Sequence, residues 1–379
     1  MVRLFHSNIT VLMSFTIVIL LFLGGIAFPK GGDEKNVDTL VSELKELADE
    51  LLKEGLYRDA LGSYKEVLTN VSRLSEPELY AHLRLNMGVC YLKIAEVENE
   101  VDNLYQSIYA FEDALSVYTA GKYPHNYGIA KRNLGIALWR LSLFQDREKN
   151  LKLAIDAYED ALSAFAPNRY LLEYGETLMK MGDALIDLSY IEKPEENLDM
   201  AVDLYEQALE IFTIDTYPVQ YAAVQNGMGI AYWTLSKYRD PRENLLRAVS
   251  SYKESLTIYN FEKYPLDWAV TKYNLGIAYL NLAKVGENTK AYLLMSIDEF
   301  NQALIVRTLG DEPISYAMTQ YSLGQVYEAL AEVEDERVNL KKARMSYIEA
   351  LKVYTPDEFP MHNKLVSSAL EQVEIKLGE

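Results

Sequence analysis

A glycine returns along this chain at a nearly fixed interval, and that interval restricts the accessible folds more than any other feature. Gly88, Gly135, Gly182, Gly229, Gly276 and Gly324 are separated by 47, 47, 47, 47 and 48 residues. A second series, Ala114-Leu115, Ala161-Leu162, Ala208-Leu209, Ser255-Leu256, Ala303-Leu304 and Ala350-Leu351, keeps register with steps of 47, 47, 47, 48 and 47. Self-similarity at such a period marks stacked repeats, each burying its apolar face only against its neighbours. The 379 residues are therefore expected to form one elongated array rather than two or three separate domains.

The fine periodicity inside the units is helical. From Val37, the residues Leu40, Leu44, Leu47, Ala48 and Leu51 recur at three and four, Gly55 interrupts them, and Tyr57, Ala60, Leu61, Tyr64, Val67 and Leu68 resume. Two such stripes form a helical hairpin, because neither helix can bury its face alone. Pro77, Pro124, Pro218, Pro265, Pro313 and Pro360 each precede a first helix, where the missing N–H costs little; Leu171 takes that place in one unit. Asp240-Pro241-Arg242-Glu243 is close to a capping box opening a second helix. Small hub residues let helix backbones approach closely, and Tyr91, Tyr232, Tyr279 and Tyr327, three residues after their glycines, are expected to fill the neighbouring holes. The fold class that follows is all-α, a solenoid of antiparallel hairpins. It comprises seven hairpins over 37–359 and a closing helix over 360–379, with a short linker over 30–36.

Residues 1–29 give a cellular address. Ile9 to Phe28 is an uncharged apolar run of 20 residues, long enough to cross a bilayer as an N-terminal hydrophobic helix. Gly25-Ile26-Ala27 also offers a cleavage position after Ala27, so the residues leave open a signal-anchor and a cleaved signal peptide. Either reading puts the array outside the cytoplasm, membrane-anchored or secreted. Asn70-Val71-Ser72 would then be a potential glycosylation acceptor.

The stretch Leu44 to Leu68, LKELADELLKEGLYRDALGSYKEVL, resembles the tetratricopeptide repeat, whose unit is about 34 residues. Later units such as YPLDWAVTKYNLGIAY, from Tyr264, resemble a stretched form found in prokaryotic arrays, some of them fused to a caspase-like CHAT domain, which is not expected among these 379 residues. The resemblance implies a right-handed superhelix whose first helices line a concave groove for an extended peptide or a partner protein. In the family an asparagine two residues before the hub often grips the peptide. Asn86, Asn133 and Asn274 match that position, with Arg132 and Tyr273 beside the latter two and Asn226 and Tyr321 one position earlier in their units. Lys180 and Gly227 interrupt the asparagine series, and the same amides could instead bridge neighbouring helices.

Chemistry is scarce by comparison. The four histidines and single cysteine show no metal-ligand spacing, and no nucleophile elbow or phosphate loop is present, so neither a metal nor another cofactor is expected, and no enzyme. With 37 Lys plus Arg against 56 Asp plus Glu, the net charge of −19 argues against nucleic acid as partner. The expected function is a non-catalytic protein-interaction scaffold held outside the cytoplasm. The alternative is a structural component of the cell envelope that self-associates into homo-oligomers.

Overall fold

A computed structural model describes residues 34–165 and 169–378. The apolar run Ile9–Phe28 and the cleavage position at Ala27 lie outside the described residues. Among the described residues no helix is long and apolar enough to cross a membrane. The chain divides into two compact units, Met1–Ala166 and Pro167–Glu379.

The first unit holds three hairpins: α1 (Glu34–Lys53) with α2 (Tyr57–Leu68), α3 (Pro77–Ile94) with α4 (Glu100–Leu115), and α5 (Pro124–Leu141) with α6 (Arg147–Ala164). The second holds α7 (Leu171–Ser189) with α8 (Pro194–Ile211), and α9 (Pro218–Leu235) with α10 (Pro241–Ser255). It continues with α11 (Pro265–Val285) and α12 (Thr289–Ala303), α13 (Pro313–Ala331) and α14 (Glu336–Leu351), and ends on α15 (Pro360–Leu377). Within each unit the two helices of a hairpin pack along their length, and each second helix also packs on the first helix that follows it. Helix α1 already begins at Glu34, ahead of the pattern read from Val37.

The two helix types have different burial. First helices are covered on several sides: in α3 the buried set is Ala81, Leu83, Leu85, Met87, Gly88, Cys90, Leu92 and Ile94. Second helices bury one stripe, as Asn244, Leu245, Ala248, Val249, Tyr252 and Ser255 do in α10. A helix apolar on all sides belongs inside a stack and an amphipathic one on its outside, so composition assigns the layers.

The hub is a ring on a glycine. Phe111, Tyr158, Tyr205, Tyr252, Phe300 and Tyr347 come from second helices and lie against Gly88, Gly135, Gly182, Gly229, Gly276 and Gly324 of their own first helices. A methyl group on Gly135 would stand 2.6 Å from Tyr158 Cε1, and one on Gly276 would stand 2.7 Å from Phe300 Cε1. The expectation that Tyr91, Tyr232, Tyr279 and Tyr327 fill these holes is thus corrected: the ring that occupies the close approach at each hub comes from the paired second helix. Tyr91, Tyr232 and Tyr279 instead meet cationic side chains of second helices, with Lys65, Arg247 and Lys253 over their respective rings.

Buried polar atoms follow the ring chosen. Tyr205 donates to Asp183 at 2.7 Å and Tyr347 to Glu328 at 2.5 Å, both acceptors on the paired first helix. Where the ring is phenylalanine, the residue four earlier is serine: Ser107 and Ser296 donate at 2.8 Å to the carbonyls of Gly88 and Gly276. A second contact repeats nearer the helix starts, where Phe165 lies on Gly128 and Phe212 on Gly175.

Hairpin tips close through a left-handed residue. Asn99, Asp146, Lys193, Asp240, Asn288 and Asp335 all have positive φ, between 43° and 70°. The capping box expected at Asp240 is not formed, because in this conformation its side chain makes no cap hydrogen bond. The turn is held instead by an asparagine one helical turn on: Asn150, Asn244 and Asn339 each donate at 2.8 Å to the carbonyls of Gln145, Arg239 and Glu334.

One substitution should therefore have opposite signs at two glycines. Gly62→Ala, on the exposed side of α2 with nothing within 4 Å, is expected to stabilise by about 1 kcal/mol through helix propensity. Gly135→Ala is expected to cost about 1 kcal/mol net, since overpacking against Tyr158 exceeds that gain. Urea denaturation of both variants checks the pair. Lys193, at φ 45°, bears left-handed strain without a short polar side chain. Lys193→Gly is expected to raise the thermal midpoint, by roughly 0.5–1 kcal/mol of stability.

Candidate functional site

Successive first helices touch one another, α3 with α5 in the first unit and α7, α9, α11 and α13 in turn in the second, whereas no pair of second helices does so to the same extent. The first helices therefore form the tighter, inner side of each stack. On any of them, residues at hub minus ten, minus six, minus three and plus one share a face, because these steps of four, three and four follow the helical period. The candidate residues at hub minus three lie on this inner face, and those at minus two lie beside it.

In the first unit the inner face carries a polar cluster. Asp49 Oδ1 accepts from Tyr64 Oη at 2.6 Å and Asn86 Nδ2 at 3.2 Å, and His82 Nε2 lies 3.3 Å away. Lys45 Nζ closes the other carboxylate oxygen at 2.7 Å. Burial acts to raise the Asp49 pKa, but hydrogen bonds from Lys45 and Tyr64, with the charges of His82 and Lys45, outweigh it and hold the carboxyl below its ordinary range. Tyr64 is pushed the opposite way, first by burial and then by the carboxylate it serves. Asn86 thus ties α3 to α1 and α2, donating to Tyr64 Oη at 3.0 Å as well. Arg132 and Asn133 are half-buried on α5.

In the second unit the candidates bridge neighbouring first helices. Asn226 Nδ2 on α9 donates to Thr271 Oγ1 on α11 at 2.7 Å, and Asn274 Nδ2 donates back to Asn226 Oδ1 at 3.2 Å. Tyr273 Oη lies 3.3 Å from Ser322 Oγ on α13, whereas Tyr321 makes no such bridge among the described residues and accepts from Gln325 of its own helix at 3.1 Å. Beneath Tyr273 lies Arg307, only 7% exposed, its guanidinium 4.5 Å from the ring centroid and its Nη1 donating to Thr319 at 3.3 Å. Tyr118, Phe165, Phe212, Tyr259 and Tyr354 occupy the corresponding position in other repeats, so Arg307 puts a cation where the series has an aromatic ring. Burial lowers its pKa against the opposing pull of Tyr273 and Glu312. The structure brings together Asn226 with Asn274, and Asn86 with Asp49; these amides bridge helices, as the alternative sequence reading had it.

The residues missed by sequence reasoning stand on the same face, one and two turns nearer the helix starts. Leu266 and Val270 on α11, Ile314 and Met318 on α13, and Met361 and Leu365 on α15 are between 40% and 82% exposed. Val219 and the half-buried Ala223 occupy the same register on α9. The preceding loops add exposed Ile214, Phe261 and Leu309 at the matching position. In the first unit the equivalent places hold Glu78 and His82 on α3, and His125 and Ile129 on α5, so the apolar ladder belongs to the second unit alone. Alignment of the repeats on their glycines would have exposed the series, but sequence alone does not distinguish an apolar residue turned outward from one in the core.

Among the described residues no group of three or more metal-ligating side chains gathers at one place. The Asp49 cluster yields a pH prediction. A carboxyl whose folded pKa is depressed adds stability that is present above its unfolded pKa and is lost as pH falls through the folded value. Asp49→Asn is therefore expected to narrow the stability difference between pH 6 and pH 3, read from urea midpoints at the two pH values.

No protein-family model matches the chain. No curated protein matches it. Solved structures do. The C-terminal part of a TPR repeat-containing protein from Cytophaga hutchinsonii superposes with a TM-score of 0.50 at 15% identity, over 86% of this chain and 99% of that one. A chain of the APC/C hetero-tetramer Cut9–Hcn1 superposes with a TM-score of 0.50 at 17% identity over 88% of this chain, which spans about half, 52%, of that one. Ring-on-glycine hairpins, an inner layer of first helices and this likeness together identify the fold as that of tetratricopeptide-repeat proteins, drawn on a 47-residue unit.

Proposed function

We propose that this chain is a protein-interaction scaffold whose inner first-helix face receives a segment of a partner protein. One observation carries the reading: the exposed apolar ladder on α9, α11, α13 and α15. Scattered apolar residues on a surface need no explanation, but a contiguous patch repeated in register on neighbouring helices marks a contact surface. Leaving it open to water forgoes about 25 cal/mol for each Å² that a partner would cover. Asn226, Asn274 and Tyr273 border the ladder, hold its helices at fixed spacing and keep polar edges near a bound chain.

We further propose that residues 1–29 export the array, so that it works outside the cytoplasm, anchored or released. The 20-residue apolar run supports export. Protease added to intact cells is expected to degrade the array while leaving a cytoplasmic marker whole; protection of the array would overturn the assignment.

Replacing Val270 and Met318 together by aspartate is expected to abolish capture of partners from a membrane extract. Met345→Asp, at a 66% exposed apolar residue on the outer helix α14, should leave capture intact. Far-UV circular dichroism monitors folding of all variants. Equal capture by both would sink the inner-face assignment.

A further inference from the structure

We infer that the ladder of the second unit takes an amphipathic helix with lysine or arginine along one flank, an inference that rests on the proposed scaffold function and names its partner class. Two independent features point to it: the spacing of the apolar rungs and the charge of the loops beside them.

The rungs on α9, α11 and α13 belong to first helices that touch in turn, and the axes of packed helices stand about 8–10 Å apart. Same-side residues of an extended strand repeat every ~6.8 Å, too short to place one side chain on each rung. Residues seven apart on a helix repeat every ~10.5 Å and come much closer. Each rung is two residues deep, as in Leu266 with Val270 and Ile314 with Met318, which gives one large apolar side chain of the partner a cleft between i and i+4 neighbours. Four rungs, on α9, α11, α13 and α15, span roughly three such steps, about the length of a 20-residue helix.

The charge lies along the edge of the ladder where the first helices begin. The loop before α9 carries Asp215, that before α11 Glu262, that before α13 Asp311, and that before α15 Asp357 and Glu358, all exposed. None of these five forms an ion pair among the described residues. Of the cations in the same loops, Lys352 is paired with Glu349 at 2.6 Å and Arg307 is buried under Tyr273, which leaves Lys263 as the exposed unpaired one. An apolar strip bordered on one side by uncompensated carboxylates is complementary to a helix that is apolar on one face and basic on the adjoining flank.

The test uses the full chain and three synthetic 20-residue peptides, read by fluorescence anisotropy. The first has leucine at helical spacing with lysine on one flank, the second replaces each lysine by glutamate, and the third scrambles the first. The lysine-flanked peptide is expected to bind at least roughly tenfold more tightly than either of the others, and to weaken as salt is raised. Val270→Asp with Met318→Asp should remove that binding, and Asp215→Lys with Asp311→Lys should reverse the preference toward the glutamate peptide. Equal binding of all three peptides would overturn the inference. If the peptides do not discriminate while partner capture still depends on Val270 and Met318, the scaffold reading stands and this partner class falls. Loss of dependence in both assays would remove the scaffold reading itself. Sedimentation showing a dimer that Val270→Asp dissolves would assign the ladder to a second copy of the chain and also overturn the inference.

Discussion

Everything in this architecture depends on an aromatic ring lying flat against a glycine. The contact between Tyr158 and Gly135, repeated at five further hubs, sets how closely the two helices of a hairpin approach. A Cβ on the first helix cannot be accommodated without moving the ring, so the glycine is fixed sterically although it weakens the helix it sits in. The surrounding residues adjust to the ring in use: a carboxylate on the paired first helix receives the hydroxyl of Tyr205 or Tyr347, and a serine replaces it beside Phe111 and Phe300. The hub is thus a small set of alternative solutions to one packing and one hydrogen-bonding requirement, and it tolerates sequence change elsewhere.

Because the hub is confined to the contact within a hairpin, the inner face of the first helices is left free to vary. The first unit uses that freedom for a polar cluster centred on Asp49, and the second for a row of exposed apolar side chains from Val219 to Leu365. Beside that row, within the second unit, bridging amides and hydroxyls of Asn226, Thr271, Asn274 and Ser322 hold neighbouring first helices together. Half-buried amides such as Asn226 and Asn274, satisfied by one another and by Thr271, are already stable without a ligand. What remains unsatisfied is the apolar surface beside them, and that is where a binding function has a physical driving force.

The repeat, the hairpins and the helix starts were legible in the sequence because each is a local property: a glycine period, an apolar period, a proline at the first turn. Two expectations failed at the next level. Tyr91, Tyr232, Tyr279 and Tyr327 carry the right bulk to fill a hole, but their direction is fixed by the helix, and the ring that does fill it comes from the partner helix. Asp240 has a capping residue's chemistry, yet its left-handed backbone turns the side chain away and gives the task to Asn244. At the candidate site, Asn86, Asn133 and Asn274 were legible as a series two residues before the hub, with Asn226 one position earlier, but whether an amide meets a ligand or a neighbouring helix is set by distances across the stack. The apolar ladder was overlooked since Val270 and Leu275, both apolar on α11, read alike in sequence, although one is 43% exposed and the other fully buried.

By itself, then, the sequence determined the period, the all-helical class and the order of hairpins, because these follow from residue size and spacing along one chain. Only the tertiary structure decided which ring meets which glycine, which amides are already spent on helix contacts, and which apolar residues are left facing water. Those outcomes depend on where one helix places its side chains relative to the next, and that relation exists only once the helices are packed.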